Sequence, residues 1–355
     1  MQIFWSNYLE EKVNKLSSNH DSAHNIALCS QEQSYALVTE QTVLMPLPSL
    51  AFIQVKGQDA QKFLQGQFTC QFKEGETIQM RLGAHCSEKG RIQNFFRIFN
   101  CYWEDEPCYL LILQLNTLSD TLTRLKKYAL FSKVVISDKT KDLAAFTLYG
   151  DNASIWLENT YLSQALNIND YTTLDKEHSL LARLRGDKPR YLFIAHLDTI
   201  PTLWEKCNTQ FTAINSEFWN LLEIRAGIPM IFSETADLFF PHYLNLPTLN
   251  AVSFEKGCYL GQEVIARMQY RGKVNKHLHR ALISNSTFSP QPNDEILYCE
   301  NEQSHAVGHV IVASPTAAGS YEMLILLKDD HQNFENLFLK LVDGPKLHHL
   351  NLTYT

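Results

Sequence analysis

No run of 18 apolar residues occurs along the 355 residues, and the opening stretch MQIFWSNYLEEKVNKL has neither the basic start nor the unbroken apolar segment of a signal peptide. A membrane span and secretion are not expected, and the cytoplasm is the expected compartment. The eight cysteines (29, 70, 86, 101, 108, 207, 258 and 299) include no CxxC pair, which argues against a self-contained zinc or iron-sulfur motif and a secreted disulfide framework. Reduced thiols fit the spacing better. Glycine and proline are sparse, 14 and 12 residues, so collagen-like and disordered low-complexity classes drop out. Positive charge is also short, 31 Lys and Arg against 38 Asp and Glu for a net charge of −7. Wholesale binding to anionic lipid or nucleic acid needs clustered cations, so direct tRNA binding gains no support from the net charge. There is no internal repeat, coiled coil or long exposed apolar stripe, and a monomer is expected.

What the chain does have is 45% hydrophobic residues against 19% charged ones, enough for a sizeable core, and a length that points to two or three domains. The first 45 residues are polar and mixed, with an amphipathic start (Phe4, Leu9, Val13, Leu16) followed by the linker-like SSNHDSAHN. Strands are expected at 51–56, 91–99, 109–115, 133–137, 144–149 and 191–196, with the acidic WEDEP as a turn. Short helices are expected at AQKFLQGQ, capped by Asp59 and stopped by Gly66, and from Ser119, where Leu122, Leu125 and Ala129 share a face. Another runs from Ser216 through Trp219, Leu222 and Ile224 to Gly227. After residue 276 only short alternating segments follow, which predicts a C-terminal all-β module. Strands mixed with helices, then strands alone, read as α+β.

The stretch EKGCYLGQEVIAR (255–267) carries the strongest chemistry. Gly257 and Gly261 permit a left-handed backbone or a close approach, so Cys258 is expected on a tight loop just before a helix N-terminus. That dipole and neighbouring Lys256 would favour a thiolate. The other reading is a small buried hydrophobe, as most cysteines are. Glu263, Arg267 and Arg271, four apart, would form one charged stripe, either a solvated face or a ligand contact. Residues 264–280 hold Arg267, Arg271, Lys273, Lys276 and Arg280 and no acid, a candidate anion site for a polycarboxylate tail or RNA phosphates. His277 and His279 would share a strand face, but without a third ligand no metal is expected. Cys101 and Cys108 flank the acidic turn as ordinary residues of a strand pair, and FWNLL (218–222) reads as helix core.

KGCYLGQE closely resembles the K-G-C-Y-x-G-Q-E signature of the YgfZ family, folate-binding relatives of the glycine-cleavage T-protein aminomethyltransferases, and meets all of its specified positions. GQDAQKFLQGQFTCQF (57–72), HCSEKGRI (85–92), LKKYALFSKV (125–134), RAGIP (225–229), FPHYLNL (240–246) and VGHVIVA (307–313) resemble other family segments in the family's order. The resemblance covers about residues 46–340. It departs at two places: Arg225 stands where an acid commonly precedes A-G-I-P, with Glu223 two places earlier, and His242 stands where glutamine is frequent, though Asn245 and Leu246 match.

The resemblance implies a three-domain ring around a folate-sized channel: an N-terminal extension (1–45), a discontinuous folate-binding core (46–135 and 210–275), a ferredoxin-like α+β segment (136–209) and a C-terminal β-barrel-like domain (276–355). It implies tetrahydrofolate or a derivative as the ligand, and Cys258 as the essential thiol. It also implies a role in assembly or repair of iron-sulfur clusters, including those of tRNA-thiomethylating enzymes, with iron-sulfur proteins or their assembly machinery as partners. Lys256, Gly257, Tyr259, Gly261, Gln262, Glu263, Arg267, Arg271 and Asn245 are the candidate folate contacts. They supply the amide, carboxylate, aromatic and cationic groups that a pterin, a benzoyl ring and a glutamate tail require. The alternatives are a folate-dependent aminomethyltransferase of the T-protein type and a non-catalytic scaffold.

Overall fold

The computed structural model describes residues 4, 5, 7–9, 29–73, 79–103, 106–162, 173–176, 179–301, 303–317 and 319–352. Val13, Leu16 and the SSNHDSAHN linker lie outside these residues, as does the tip of the WEDEP turn. Helix α1 (Gln31–Glu40) leads to strands β1 (Val43–Pro46) and β2 (Leu50–Lys56), helix α2 (Ala60–Gln67), and strands β3 (Gln79–Cys86), β4 (Ile92–Trp103) and β5 (Glu106–Gln114). Helix α3 (Leu118–Tyr128), β6 (Val135–Asp138), β7 (Leu143–Tyr149), the short α4 (Ala153–Trp156) and a π turn (Leu157–Leu162) follow. Next come β8 (Thr173–Lys176), β9 (Ser179–Leu184), β10 (Arg190–His196), α5 (Ile200–Asn208), β11 (Thr212–Ala213), α6 (Phe218–Arg225) and α7 (Gln262–Arg271). After α7 come the strands β12 (Lys276–Ile283), β13 (Glu295–Glu300), β14 (Gln303–Pro315), β15 (Tyr321–Lys328), β16 (Leu337–Leu339) and β17 (His348–Leu350), with a short 3-10 turn (Asp329–His331) after β15.

These strands form three sheets, ordered β11-β1-β7-β10-β9-β8, β3-β4-β5-β2-β6 and β16-β13-β14-β15-β12-β17. Apart from the parallel β1/β11 pair, every pairing is antiparallel. The alternation of side chains along a strand explains how three sheets share one core. Leu143 and Ala145 of β7, Phe52 of β2, and Leu324 and Leu326 of β15 all join one central cluster. Their neighbours turn the other way, each into its sheet's own core: Ala144 and Phe146 under α5, Ile53 and Val55 under α2 and α3, Met323 and Ile325 inside the third sheet. The irregular segment between α6 and α7 fills the middle, with Ile228, Leu244, Leu246 and Ala251 in the same cluster.

The N-terminal segment docks onto the first sheet. Trp5 is buried against Trp204 of α5, ring centroids 4.9 Å apart, and against Phe146 at 6.5 Å, while the Tyr8 hydroxyl donates to Glu205. Several local expectations change in detail. The Asp59 side chain makes no helix cap; its Oδ2 instead accepts the Lys133 backbone N–H at 2.7 Å, tying α2 to the turn after α3. Gly66 lies inside α2 rather than ending it, Ser119 lies in the first turn of α3, and α6 starts at Phe218. Gly227 does end the α6 region with φ 68°. Among the described residues no helix is long and apolar enough to cross a membrane.

Two imidazoles set an acid limit on this fold. His85, 1% exposed, is held down to about 4, first by burial and then by Arg124, and His279 is likewise held near 4 by burial and by His349 and His277. In the unfolded chain they take up protons near pH 6.5. Between those values the unfolded state binds more protons, so stability falls as pH falls through that window. His85 alone is expected to remove on the order of 3 kcal/mol between pH 6.5 and 4, readable from denaturant midpoints across that range. A flat profile would mean that neither ring is buried neutral.

Candidate functional site

Lys256 is buried, and its ammonium donates to the carbonyls of Phe68 and Cys70, both at 2.7 Å, beneath the Tyr259 ring at 5.0 Å. The spacing in KGC suggests that this charge serves Cys258, but the geometry gives it another task. It fastens the motif to the segment after α2, and burial lowers its pKa to about 8 while the nearby Cys70 opposes that fall. Thr69 completes the seam: its hydroxyl donates to the Ala251 carbonyl at 2.6 Å, and its own carbonyl accepts the Ser253 N–H at 2.9 Å. Cys258 is left exposed, the one exposed cysteine of the eight, three residues before Gly261 at the N-cap of α7. It is not a core hydrophobe.

The two glycines of the motif differ. Gly261 has φ 80°, and a Cβ there would stand 2.4 Å from the Ser87 carbonyl and 3.1 Å from the Gly90 Cα. Gly90 itself has φ 71° and faces Val264 in the same way, so the β3–β4 turn and the start of α7 interlock through two glycines. Gly257 has no left-handed φ, and a Cβ added to it would meet no atom within 4 Å, so the sequence expectation holds for Gly261 and not for Gly257. Gly261→Ala is therefore expected to cost about 1–3 kcal/mol, and Gly257→Ala under about 0.5 kcal/mol, when both are measured by chemical denaturation. Equal costs would contradict the interlock.

Among the candidate contacts, Lys256 and Tyr259 point inward and Gln262 turns back, its Oε1 accepting the Tyr259 N–H at 3.3 Å. Glu263, Arg267 and Arg271 face solvent. Glu263 and Arg267 pair at 2.8 Å, and with Gln262, Ala266, Tyr270 and Arg271 they line a shallow groove. Ile265 is the buried residue of α7. Asn245 is half-buried in a left-handed turn (φ 56°), and its N–H bonds the His242 carbonyl. His242, where glutamine is frequent in the resembling sequences, meets Gln269 of α7 at 3.1 Å, and burial lowers its pKa. Lys256, Tyr259 and Gly261 thus belong to an inward seam and Glu263, Arg267 and Arg271 to an outward stripe, while Gly257 is exposed, Gln262 bridges the two and Asn245 lies in a separate turn.

Sequence reasoning passed over the charged centre. Glu223, 1% exposed, receives Arg97 from β4 on one oxygen and Arg190 from β10 on the other at 2.8 Å. Both guanidiniums lie over Trp219, 5.2 and 5.0 Å from the ring centre. Two residues on, Arg225 meets Glu322 of β15 at 3.0 Å, and Glu322 also holds Arg280 of β12, Nε to Oε2 2.9 Å. Helix α6 therefore spans all three sheets, giving a carboxylate to the first two and a guanidinium to the third. The readable signal was ionic residues inside apolar runs (FFRIF, LLEIR, PRYLF), which survive burial only when paired. Trp219 Nε1, Tyr259 Oη, Arg97 Nε and Arg225 Nε are buried without hydrogen-bond partners among the described residues. Such donors suit a ligand rich in acceptors. Burial also raises the Tyr259 pKa, which keeps that phenol a donor.

Among the described residues no group of three or more His, Cys, Asp or Glu could hold a metal. His277 instead meets Asp329 at 3.4 Å, and His279 lies edge-on to Phe334 and His349. Cys101 and Cys108 sit directly opposite each other on β4 and β5 with sulfurs 3.8 Å apart.

No protein-family profile matches the chain. In fold it is similar to the glycine cleavage system aminomethyltransferase T from Bartonella henselae, TM-score 0.71 at 13% identity over 91% of this chain and 90% of that one. A heterotetrameric sarcosine oxidase from Corynebacterium superposes with a TM-score of 0.33 at 10% identity over 55% of this chain and 91% of that one, and adds nothing to the assignment. The mixed α/β architecture of three sheets is that of the T-protein aminomethyltransferases. In sequence it is similar to the tRNA-modifying protein YgfZ of Colwellia psychrerythraea, 32% identical over 291 residues that make up 82% of this chain and 86% of the relative. With that identity over that length, and the KGCYLGQE loop in place, the chain belongs to the YgfZ family.

Proposed function

We propose that this protein binds tetrahydrofolate or a derivative and supports assembly or repair of iron-sulfur clusters, including those of tRNA-thiomethylating enzymes, through the thiol of Cys258. The observation that carries the reading is the exposed Cys258 on a loop made rigid from both sides, by Lys256 beneath and by Gly261 against Gly90. A loop so fastened holds one side chain in place and leaves it open to a partner. One cysteine cannot hold a cluster alone, since clusters are usually held by four thiolates. Cys258 thus works transiently or beside a partner's ligands. The relative's name, a tRNA-modifying protein, points to the same class of client.

The fit to a reduced folate rests on the buried donors at the centre. Trp219 Nε1, Tyr259 Oη and the Arg97 Nε would meet the ring carbonyl and nitrogens of a pterin. Arg225, paired with Glu322, does not replace the acid common at that position, and Glu223 two places earlier is engaged on both oxygens by Arg97 and Arg190. When bound, the folate would bring a reduced pterin able to carry one-carbon units. The division into a discontinuous core (46–135 and 210–275), a ferredoxin-like segment (136–209) and a β-domain (276–355) belongs to this reading.

Calorimetric titration with tetrahydrofolate tests it, with saturable one-to-one binding expected. Absence of binding would remove folate and leave a protein-interaction scaffold. Transfer of an aminomethyl group to the folate by purified protein would favour the T-protein type of enzyme. The outward stripe has its own test. Arg267→Ala with Arg271→Ala is expected to weaken a polyglutamylated folate by about tenfold, near 1.4 kcal/mol as for one charge-assisted contact, and the monoglutamate much less. Equal weakening would take the tail away from these arginines.

A further inference from the structure

Helix α3 ends in Lys126 and Lys127, and the turn after it carries Leu130 and Phe131, 75% and 100% exposed. Val135, the first residue of the edge strand β6, is 53% exposed. A phenylalanine left wholly in water forgoes the burial that a side chain of its size would gain, and grouped exposed apolar residues mark interaction sites. The segment that carries them is basic, although Asp59 meets the same turn from α2. From Thr121 to Ser137 the chain holds Arg124, Lys126, Lys127 and Lys133 and no acid, within a protein of net charge −7. Lys126, Lys127 and Lys133 are exposed.

This knob reaches the Cys258 loop through contacts. Tyr128 at the end of α3 lies edge-on to His85, 6.2 Å between rings, and lines a groove of mixed charge with Ser87, Glu88, Lys89, Arg91 and Asp237. The same turn supplies the Ser87 carbonyl and Gly90 against which Gly261 sits, three residues past Cys258. The apolar tip and its lysines are thus separated by one groove from the turn on which the Cys258 loop packs.

We infer that this face docks a protein whose surface offers an apolar pocket rimmed by Asp and Glu, with Phe131 as the anchor, an inference that rests on the reading of Cys258 as a thiol acting on a partner. A buried aromatic anchor governs how long such a complex lasts, and opposite charge governs how fast it forms. Leu130 and Val135 have no face on which a base could stack, whereas single-stranded RNA is held by several aromatic platforms. A bilayer has no group for the neighbouring thiol to act upon. The lysines and the apolar tip together fit an acidic protein.

The test places a photo-crosslinking phenylalanine analogue at position 131 of the full chain in living cells, and at Ile155, 59% exposed, as control. A protein adduct is expected from position 131, mapping to an acidic segment of the captured protein and falling about tenfold with Lys126→Glu and Lys127→Glu. An equal adduct at Ile155 overturns the inference, as does a mass of two copies of this chain, a lipid or nucleic-acid adduct, or indifference to charge reversal. Rescue of a deletion strain by Cys258→Ala is scored separately. Adduct with full rescue keeps the docking face and discards the thiol reading; no adduct with failed rescue does the reverse.

Discussion

Cys258→Ala is expected to abolish rescue of a deletion strain, and with it the thiomethylated tRNA of that strain, while the purified variant folds and binds tetrahydrofolate as the wild type does. The thiol is exposed and on a loop held by other residues, so truncating it is expected to change stability by less than about 0.5 kcal/mol. The neighbouring fasteners are untouched: Lys256 still reaches Phe68 and Cys70, and Gly261 still packs on Ser87. Cys258→Ser sharpens the result, because serine keeps the shape and removes the soft nucleophile and ligand that a thiolate provides. Cys70, Cys86, Cys101, Cys108 and Cys207 are buried and Cys29 and Cys299 half-buried, so brief alkylation of the native protein is expected to label Cys258 first. Burial pushes the Cys86 and Cys207 thiols up, further from reaction. Full rescue by the serine variant would end the case for sulfur chemistry at this position.

How far the sequence could be read follows from where its constraints are local. Strands β2, β4, β5, β7 and β10 alternate apolar residues or run wholly apolar, and each was recognisable within a few residues of its bounds. Gly261 was legible because a left-handed turn before a helix leaves a residue-type signature, whereas Gly257 has the same letter and no such need. Lys256 misled by adjacency. Its two carbonyl partners lie 188 and 186 residues away in the chain, and no local pattern records such a pairing. Asp59 misled likewise, its position before α2 fitting a cap while its carboxylate serves Lys133. The central ion cluster was hidden because it is assembled from β4, β10, α6, β12 and β15, one or two charges from each. Departures from the family pattern at Arg225 and His242 were visible, but what each compensates, Glu322 and Gln269, emerged only in three dimensions.

Glu223→Gln is expected to be the most destabilising single change short of a core cavity. It removes the carboxylate that the buried guanidiniums of Arg97 and Arg190 both meet, at a site 1% exposed. Breaking a buried pair by removing one partner costs about 3–5 kcal/mol, since the remaining charge keeps its desolvation penalty. Both Arg97 and Arg190 lose this carboxylate, over the same indole. Denaturant unfolding at neutral pH reads the loss directly, and a change below about 1 kcal/mol would mean that water reaches the cluster. A second variant separates stability from function. Replacing the triad with apolar residues, Arg97→Met, Arg190→Met and Glu223→Leu together, removes all three charges and is expected to recover much of the lost stability, as apolar replacements of buried ion clusters often do. If tetrahydrofolate binding vanishes while stability returns, the buried charges serve the ligand. If binding survives, they serve only to fix how α6 joins the three sheets, and the pterin is held by the Tyr259 side of the centre.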